Sequence, residues 1–325
     1  MSQKNSEIDV SVLILSYYHE KYIAQALDSV LMQQTDLTYE ILVGDDASGD
    51  RTPEILKDYA ARYPEIVKPV LREENLGANR NSVDMGRRAV GKYIAFLEGD
   101  DFWLDPKKLQ KQYDFMESHP EYSACFGKCV VVDENSRPDY SRACHFALNK
   151  QVYTLDDLID TWQVPGQAGT EMYRNSHPGM ELPEEEAGDE ILYQAHPNVG
   201  DKTGTLLLLM NGPIYCFNEV LSCYRVVDKK GEHNWFSIHH ANPYRNYDMF
   251  MYPCKLESWA RKNMDFPRNQ HLGKRNRYRF ARFVEECVHE PTPKRLKYLG
   301  EMVVNSHEPL KYSWYILKAL IEMEG

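Results

Sequence analysis

The sequence predicts an α/β fold, a mostly parallel sheet covered by helices and followed by a helical extension. Strand and helix patterns alternate five times between Val10 and Val132. The early strands are continuous apolar, β-branched runs, as in strands buried on both faces. From about Tyr244 to the end, the pattern is helical, with polar and aromatic character. Alternation of this kind implies parallel strands joined by helical crossovers.

Val10-Ser-Val-Leu-Ile-Leu15 is the first strand. Residues 20 to 34 carry helical spacing, with Ile23, Leu27, Val30 and Leu31 on one stripe. Ile41–Val43 is a second strand, and Pro53–Tyr63 a helix with proline in its first turn. Ile66–Leu71, Lys92–Leu97 and Tyr122–Val132 read as further strands, with helices over Gly77–Val90 and Pro106–Ser118. Beyond Asp133 the rhythm breaks: residues 134–150 are loop-like and Leu155–Trp162 is a short helix. Gly166–Arg174 holds a short strand, Glu181–Gly188 is an acidic linker, and Asp189–Ala195 begins a helix. Ile214–Phe217 and Val220–Val227 are two more strands. The expected division is an α/β domain over 1–235 and a helical extension over 236–325.

Composition excludes several classes. The 325 residues are 42% hydrophobic and 27% charged, which is globular rather than disordered or fibrous. Net charge is −11, a poor basis for general nucleic-acid binding. No apolar run approaches the ~20 residues that span a bilayer, and the first residues lack the build of a signal peptide, so a cytoplasmic chain is expected. The seven scattered cysteines have no CxxC spacing. Cys125 to Cys129 with Cys144-His145 could be drawn as a zinc cluster, but buried strand thiols explain the pattern better.

Ligands of open α/β sheets bind at the carboxyl ends of the strands. The first strand ends in Leu15-Ser-Tyr-Tyr-His-Glu20, the second in Gly44-Asp-Asp-Ala-Ser-Gly-Asp50, and the fourth in Glu98-Gly-Asp-Asp-Phe-Trp103. Two acidic clusters at neighbouring strand ends repel unless something cationic lies between them. A Mg²⁺ or Mn²⁺ ion on Asp100 or Asp101, with a diphosphate on its far side, would relieve that. Asp45–Asp50 by itself is also a good turn and helix-capping sequence. Glu98–Asp101 is harder to explain structurally, and Phe102-Trp103 is expected to cover one side of a cleft. No GxGxxG follows the first strand, and GxxxxGK[ST], HExxH and GxSxG are absent.

These residues resemble the family 2 glycosyltransferases of the GT-A fold. The likeness runs from Ser11–Tyr17 and Tyr22–Gln34, through Glu40–Thr52, Asn75–Gly77 and Arg80-Asn81, to Gly91–Asp101. It implies a Rossmann-like, mostly parallel central sheet that binds a nucleoside-diphosphate sugar, most often UDP-linked. By that resemblance Leu15, Ser16 and Tyr17 hold the base, with the Tyr17 ring stacked on it. Asp46 accepts the base N–H, Arg80 approaches the diphosphate, and Asp100 touches ribose or sugar hydroxyls. Asp101 ligates Mn²⁺ or Mg²⁺.

The second half is similar to a subgroup that builds bacterial surface polysaccharides. Gly169–Arg174 looks like its acceptor-side strand, and Gly188-Asp189-Glu190 like the segment carrying the catalytic base, Asp189. Tyr224-Arg225 with Gly231 and Trp235 resembles the closing loop over the donor. Many relatives place a histidine two residues after that arginine, where this chain has Val227; His233 is a candidate substitute, and His239 or His240 a weaker one on the metal side. The resemblance implies inverting transfer to a glycan or lipid-linked glycan. By composition alone, Glu184–Glu190 would be a solvated acidic loop.

Arg261 to Arg282 holds eight basic residues against one acid, Asp265. This stretch could dock on anionic lipid or pair with the acidic core. A sugar nucleotidyltransferase would share the core and its carboxylates, but lacks support from a basic, Gly-rich first loop. A non-catalytic nucleotide-sugar-binding module is the other alternative.

Overall fold

The computed structural model describes residues 8–142, 150–176, 195–196, 199–227, 241–272 and 276–323. The first half alternates as expected: β1 (Val10–Ser16), α1 (Ile23–Leu31), β2 (Tyr39–Asp45), α2 (Thr52–Arg62), β3 (Val67–Leu71), α3 (Ala78–Arg88) and β4 (Tyr93–Glu98). Next come β5 (Phe102–Trp103), α4 (Lys108–Ser118), β6 (Ala124–Val132), β7 (Val152–Tyr153), α5 (Leu155–Thr161) and β8 (Met172–Arg174). The remainder is α6 (Asp201–Leu209), β9 (Ile214–Arg225), α7 (Arg245–Asn263), α8 (Arg277–His289), α9 (Pro293–Val304) and α10 (Pro309–Met323).

Alternation along the strands decides what packs where. Val10, Val12 and Ile14 of β1 face Leu27, Val30, Leu56 and Leu109 of α1, α2 and α4. Leu13 points the other way, with Leu42, Ile94 and Phe96, onto Met85 and Ala89 at the end of α3. Both faces are therefore covered, which is why these strands read as unbroken apolar runs.

The sheet order is β3-β2-β1-β4-β8-β6-β9-β5, with β7 also on β9. The strands β3, β2, β1 and β4 are parallel, as expected. Beyond β4 the sheet is mixed, in keeping with a mostly parallel sheet, and β6 pairs with β9 in parallel. β8 lies between β4 and β6 and is antiparallel to both. Ile214–Phe217 and Val220–Val227 are one strand, β9, whose register shifts against β6 near Lys128.

The 19-residue helix α7 joins the sheet to the last three helices. Tyr252, Leu256 and Ala260 pack with Phe126 of β6, Tyr153 of β7 and Leu206 of α6. Tyr247, Phe250 and Met251 pack with Phe280 and Phe283 of α8, Met302 of α9 and Tyr312 of α10. Each such buried side chain contributes about 1.5–3 kcal/mol, so α7 holds the extension firmly to the core. Among the described residues, no helix is long and apolar enough to cross a membrane.

Candidate active site at the carboxyl edge of the sheet

Register brings three loops together. Leu15 pairs with Glu98, and Ser16 with Asp45, so β1, β2 and β4 end at one level. The loop after β1 meets the loop after β2 where the Tyr18 N–H donates to Ser48 Oγ at 2.8 Å. Tyr18 (φ 59°) and Ala47 (φ 62°) are both left-handed, a costly conformation for residues with a Cβ and one that concentrates at ligand-binding loops. Gly99 is required by close approach: a Cβ there would lie 2.7 Å from His19 Nδ1 and 2.9 Å from the Leu15 carbonyl.

The two acidic clusters have different fates. Asp45 accepts from Ser48 Oγ at 2.6 Å and from its N–H at 3.1 Å. Asp50 accepts the N–H groups of Thr52 and Glu20. Asp46 is buried, and its two oxygens accept the Leu76 and Gly77 N–H groups at 2.7 and 2.8 Å. Gly77, with φ 84°, lets the chain turn into α3 at that point. These carboxylates are satisfied by backbone, as the turn reading of this loop anticipates.

Glu98, Asp100 and Asp101 are not neutralised in that way. One carboxylate oxygen from each lies within 4.8 Å of the other two. Burial, with the charges of Asp100 and Asp201, pushes Glu98 up to about 8. Burial and the same crowding raise Asp101 well above the usual carboxylate range. Asp101 is 1% exposed and held from two sides. The Arg225 N–H donates to Oδ1 and Gln167 Nε2 to Oδ2, both at 2.7 Å. The remaining lone pairs, all on oxygen, are the donor set expected for Mg²⁺ or Mn²⁺.

The other expected donor-side residues fall around this cluster. Leu15 and Ser16 end β1, and Ser16 Oγ is buried without a hydrogen-bond partner. Tyr17 is half-buried, its ring edge-on to Tyr18 at 4.7 Å. Arg80 is exposed on the first turn of α3. Asp100 is half-buried, with His19 Nε2 3.9 Å from its carboxylate. Asp189, Gly231, His233, Trp235, His239 and His240 lie outside the described residues, as do Cys144, His145 and the linker Glu181–Gly188.

Two readings are corrected. Trp103 does not cover a cleft: it is 1% exposed in the core, its indole N–H donating to the Gly169 carbonyl at 2.7 Å. Arg225 is not on a loop. It ends β9, buried, with Nε on the Asp100 carbonyl, Nη1 on the Asp133 carbonyl and Nη2 on Gln25 Oε1. Its guanidinium lies 4.4 Å over the Tyr22 ring. Arg225 thus fixes the acidic loop rather than reaching over a donor. Gln167 and His19 were the residues missed in this centre, and Arg225 was singled out for a different role. His19 stood in a strand-end loop, which was its only signal; Gln167 and Arg225 meet the acidic loop across long stretches of sequence.

Four of the eight basic residues in the stretch have partners within the extension. Arg261 pairs with Glu257, Arg277 with Glu308 and Arg282 with Glu285. Arg279 donates to Asn246.

The model of the family described as glycosyl transferase family 2 matches residues 11–176, just over half of the 325 residues. The chain belongs to glycosyl transferase family 2. Uncharacterized protein Mb1547 of Mycobacterium bovis is 43% identical over 130 residues, 40% of this chain and 38% of that one. EpsE of Bacillus subtilis, a glycosyltransferase by name, is 35% identical over 40% of this chain and 46% of its own. TuaG of the same organism, a teichuronic acid biosynthesis glycosyltransferase by name, is 40% identical over 33% of this chain and 41% of its own. These matches span less than half the length of each relative. A crystal structure of S. aureus TarS with UDP-GlcNAc shares the fold, with a TM-score of 0.61 at 18% identity, covering 93% of this chain and 82% of that one. This family 2 chain thus has the GT-A architecture, and its matched segment contains the acidic loop.

Proposed function

We propose that this glycosyltransferase moves a sugar from a nucleoside-diphosphate donor, UDP-linked, to a hydroxyl of a glycan or lipid-linked glycan in cell-surface polysaccharide synthesis. The observation that carries the reading is the crowded Glu98–Asp100–Asp101 centre at the carboxyl edge of the sheet, its charge held in place by Arg225 and Gln167. EpsE and TuaG support the pathway, and the UDP-GlcNAc bound by TarS supports the donor class. A mannosyltransferase of Pyrobaculum calidifontis with GDP-Man and Mn²⁺ has a TM-score of 0.50 at 17% identity, covering 97% of this chain and 80% of that one.

In this proposal Asp101 holds Mn²⁺ or Mg²⁺, with Asp100 and Glu98 beside it. A divalent ion there supplies neutralisation of charge on the leaving diphosphate. Leu15, Ser16 and Tyr17 seat the base, Asp46 accepts its N–H through lone pairs left by the α3 turn, and Arg80 draws the diphosphate. Asp100 orients hydroxyls of the ribose or sugar. Asp189 removes the acceptor proton as the hydroxyl attacks from the opposite face, which inverts the anomeric centre. We place the working unit in residues 1–235 and the extension in 236–325. The chain would act in the cytoplasm, at the inner face of the membrane, through basic residues within 261–282.

The test is thermal stability with UDP, GDP or CMP, each with Mn²⁺ or a chelator, for wild type and Asp101→Ala. A ligand at 100 times its Kd adds about 2.7 kcal/mol, several degrees in Tm. A UDP shift that requires both metal and Asp101 is expected. No shift with any nucleotide would remove the donor assignment. For the base, Asp189→Asn should cut turnover by ~10²–10⁴ while the nucleotide shift survives; near-normal turnover would sink that assignment.

A further inference from the structure

A second cluster of metal-ligating side chains lies in the helical extension, outside the site described above. Glu257 comes from α7, His271 from the connection after it, and His307 from the turn between α9 and α10. We propose that Glu257, His271 and His307 form a binding site for a divalent transition-metal ion of the zinc type, with an open coordination position toward a cavity of about 330 Å³.

The spacing suits such an ion. His271 Nδ1 lies 3.0 Å from Glu257 Oε1, and His307 Nε2 3.2 Å from Oε2. Ligand atoms around tetrahedral zinc, with bonds of about 2.0–2.1 Å, are themselves about 3.3 Å apart. The carboxylate is positioned from outside, by Arg261 Nη2 at 2.8 Å and by the Leu272 N–H at 2.8 Å. Outer hydrogen bonds of this type are what orient metal-ligating carboxylates.

His271 Nδ1 is directed at Glu257 Oε1 at 3.0 Å, while the two protons of Arg261 Nη2 go to Glu257 Oε1 and the Gln270 carbonyl. With its proton on the other ring nitrogen, the same Nδ1 directs a lone pair at a cation lodged against the carboxylate. The His271 and His307 ring centroids lie 3.9 Å apart with their planes tilted by 34°, so both rings sit together against Glu257.

Two nitrogens and one oxygen select zinc-like ions over Mg²⁺, in contrast to the all-oxygen cluster at β4. Glu257 lies behind the two histidines, and both rings line the cavity together with Cys254, Asn276 and Tyr312. Three protein ligands leave a fourth position for water or a small ligand. The ion would join three separate segments of the extension.

The test uses the full chain, stripped with a chelator and titrated with Zn²⁺ against a chromophoric competitor, with excess Mg²⁺ to fill the oxygen cluster. Wild type should take up one Zn²⁺ that Mg²⁺ does not displace, with a rise in Tm. His271→Gln and His307→Gln retain an N–H for Glu257 and should weaken Zn²⁺ binding at least about tenfold, as expected when one of three ligands is lost. Equal binding by wild type and both variants, or none by wild type, overturns the proposal and leaves a hydrogen-bonded latch. Should the variants fail to fold, Co²⁺ added to wild type decides. Intense tetrahedral visible absorption supports the site, and its absence overturns it.

Discussion

Asp101 and Glu257 are buried almost equally, at 1% and 3% exposure, yet their surroundings drive them in opposite directions. At Asp101, burial and the nearby Asp100 and Glu98 raise the carboxyl well above its usual range. At Glu257, burial also pushes upward, but hydrogen bonds from His307, His271 and Arg261 overcome it and bring the group down to about 2. The difference lies in the partners and not in depth. Asp101 stores repulsion that a bound cation would relieve, whereas Glu257 is already compensated. An ion at Glu257 would replace N–H···O bonds, which only a nitrogen-seeking metal can do with profit, while at Asp101 any hard cation suffices.

The largest expected effect breaks the comparison at its functional end. Asp101→Asn should lower metal-dependent turnover by about 10³ or more, roughly 4 kcal/mol of barrier. Its unfolding free energy in chelator should move by only about 1–2 kcal/mol, because one of the two N–H donors loses its acceptor while the crowding with Asp100 and Glu98 is relieved. Urea unfolding beside a turnover assay checks both. A stability loss matching the activity loss would make Asp101 structural.

Glu257→Gln should show the reverse balance. It leaves the Arg261 guanidinium and two imidazoles without their anion, at a cost of about 2–4 kcal/mol after allowing for the partial exposure of Arg261. Because the folded value, about 2, lies below the ordinary 4.5, the stability supplied by Glu257 is complete above pH 4.5. It is lost as pH falls from there toward 2. The gap between wild type and Glu257→Gln in denaturant titrations should therefore close over that window; a gap independent of pH would mean that the carboxylate charge is irrelevant.

A third buried charge is compensated by neither route. Lys108 of α4 is fully buried, with its ammonium 4.0 Å over the Trp103 ring and 3.4 Å from the Glu171 carbonyl. Burial pulls it down to about 7. Between that value and the ordinary 10.5, the unfolded chain binds more protons, so wild-type stability should rise with pH. Lys108→Met should raise Tm by a few degrees at pH 7, with the gain shrinking toward pH 10. A loss of stability at pH 7 would show that the cation–π contact outweighs desolvation.

The contrast also marks what the sequence can disclose. Glu98, Asp100 and Asp101 are contiguous, and the apolar run before them reads as a strand, so the acidic centre and its place at a strand end were legible. The unbroken apolar run Val10–Leu15 disclosed β1 for the same reason, since a strand covered on both faces needs no polar side. Three residues, Met172–Arg174, are too few to show a period, so the antiparallel insertion of β8 was not visible. The run Leu206–Leu209 shows no helical period, which hid the helix α6. Trp103 looked like a cleft residue because nothing local shows that it meets the Gly169 carbonyl 66 residues away. Gln167 and Arg225 reach Asp101 across 66 and 124 residues, and His271 meets His307 from another segment. Such partners are made by topology, not by local pattern.

The smallest effect sharpens the comparison, because it changes a partner of Asp101 and not Asp101 itself. Gln167 Nε2 donates to Asp101 Oδ2, and its Oε1 accepts from Ser222 Oγ at 3.2 Å, so the amide is fixed at both ends. Gln167→Leu removes a neutral donor without adding or deleting charge. The proposed cation would still find its carboxylates, but Asp101 would be less well oriented. Metal affinity should fall about tenfold, with turnover at saturating Mn²⁺ little changed. Gln167→Glu adds a fourth carboxylate to the crowd and should instead make the apo chain less stable and more dependent on Mn²⁺ for its Tm. If both substitutions lowered saturated turnover equally, Gln167 would act on the reacting groups, and the view of Asp101 as a charge held ready by neutral partners would fail.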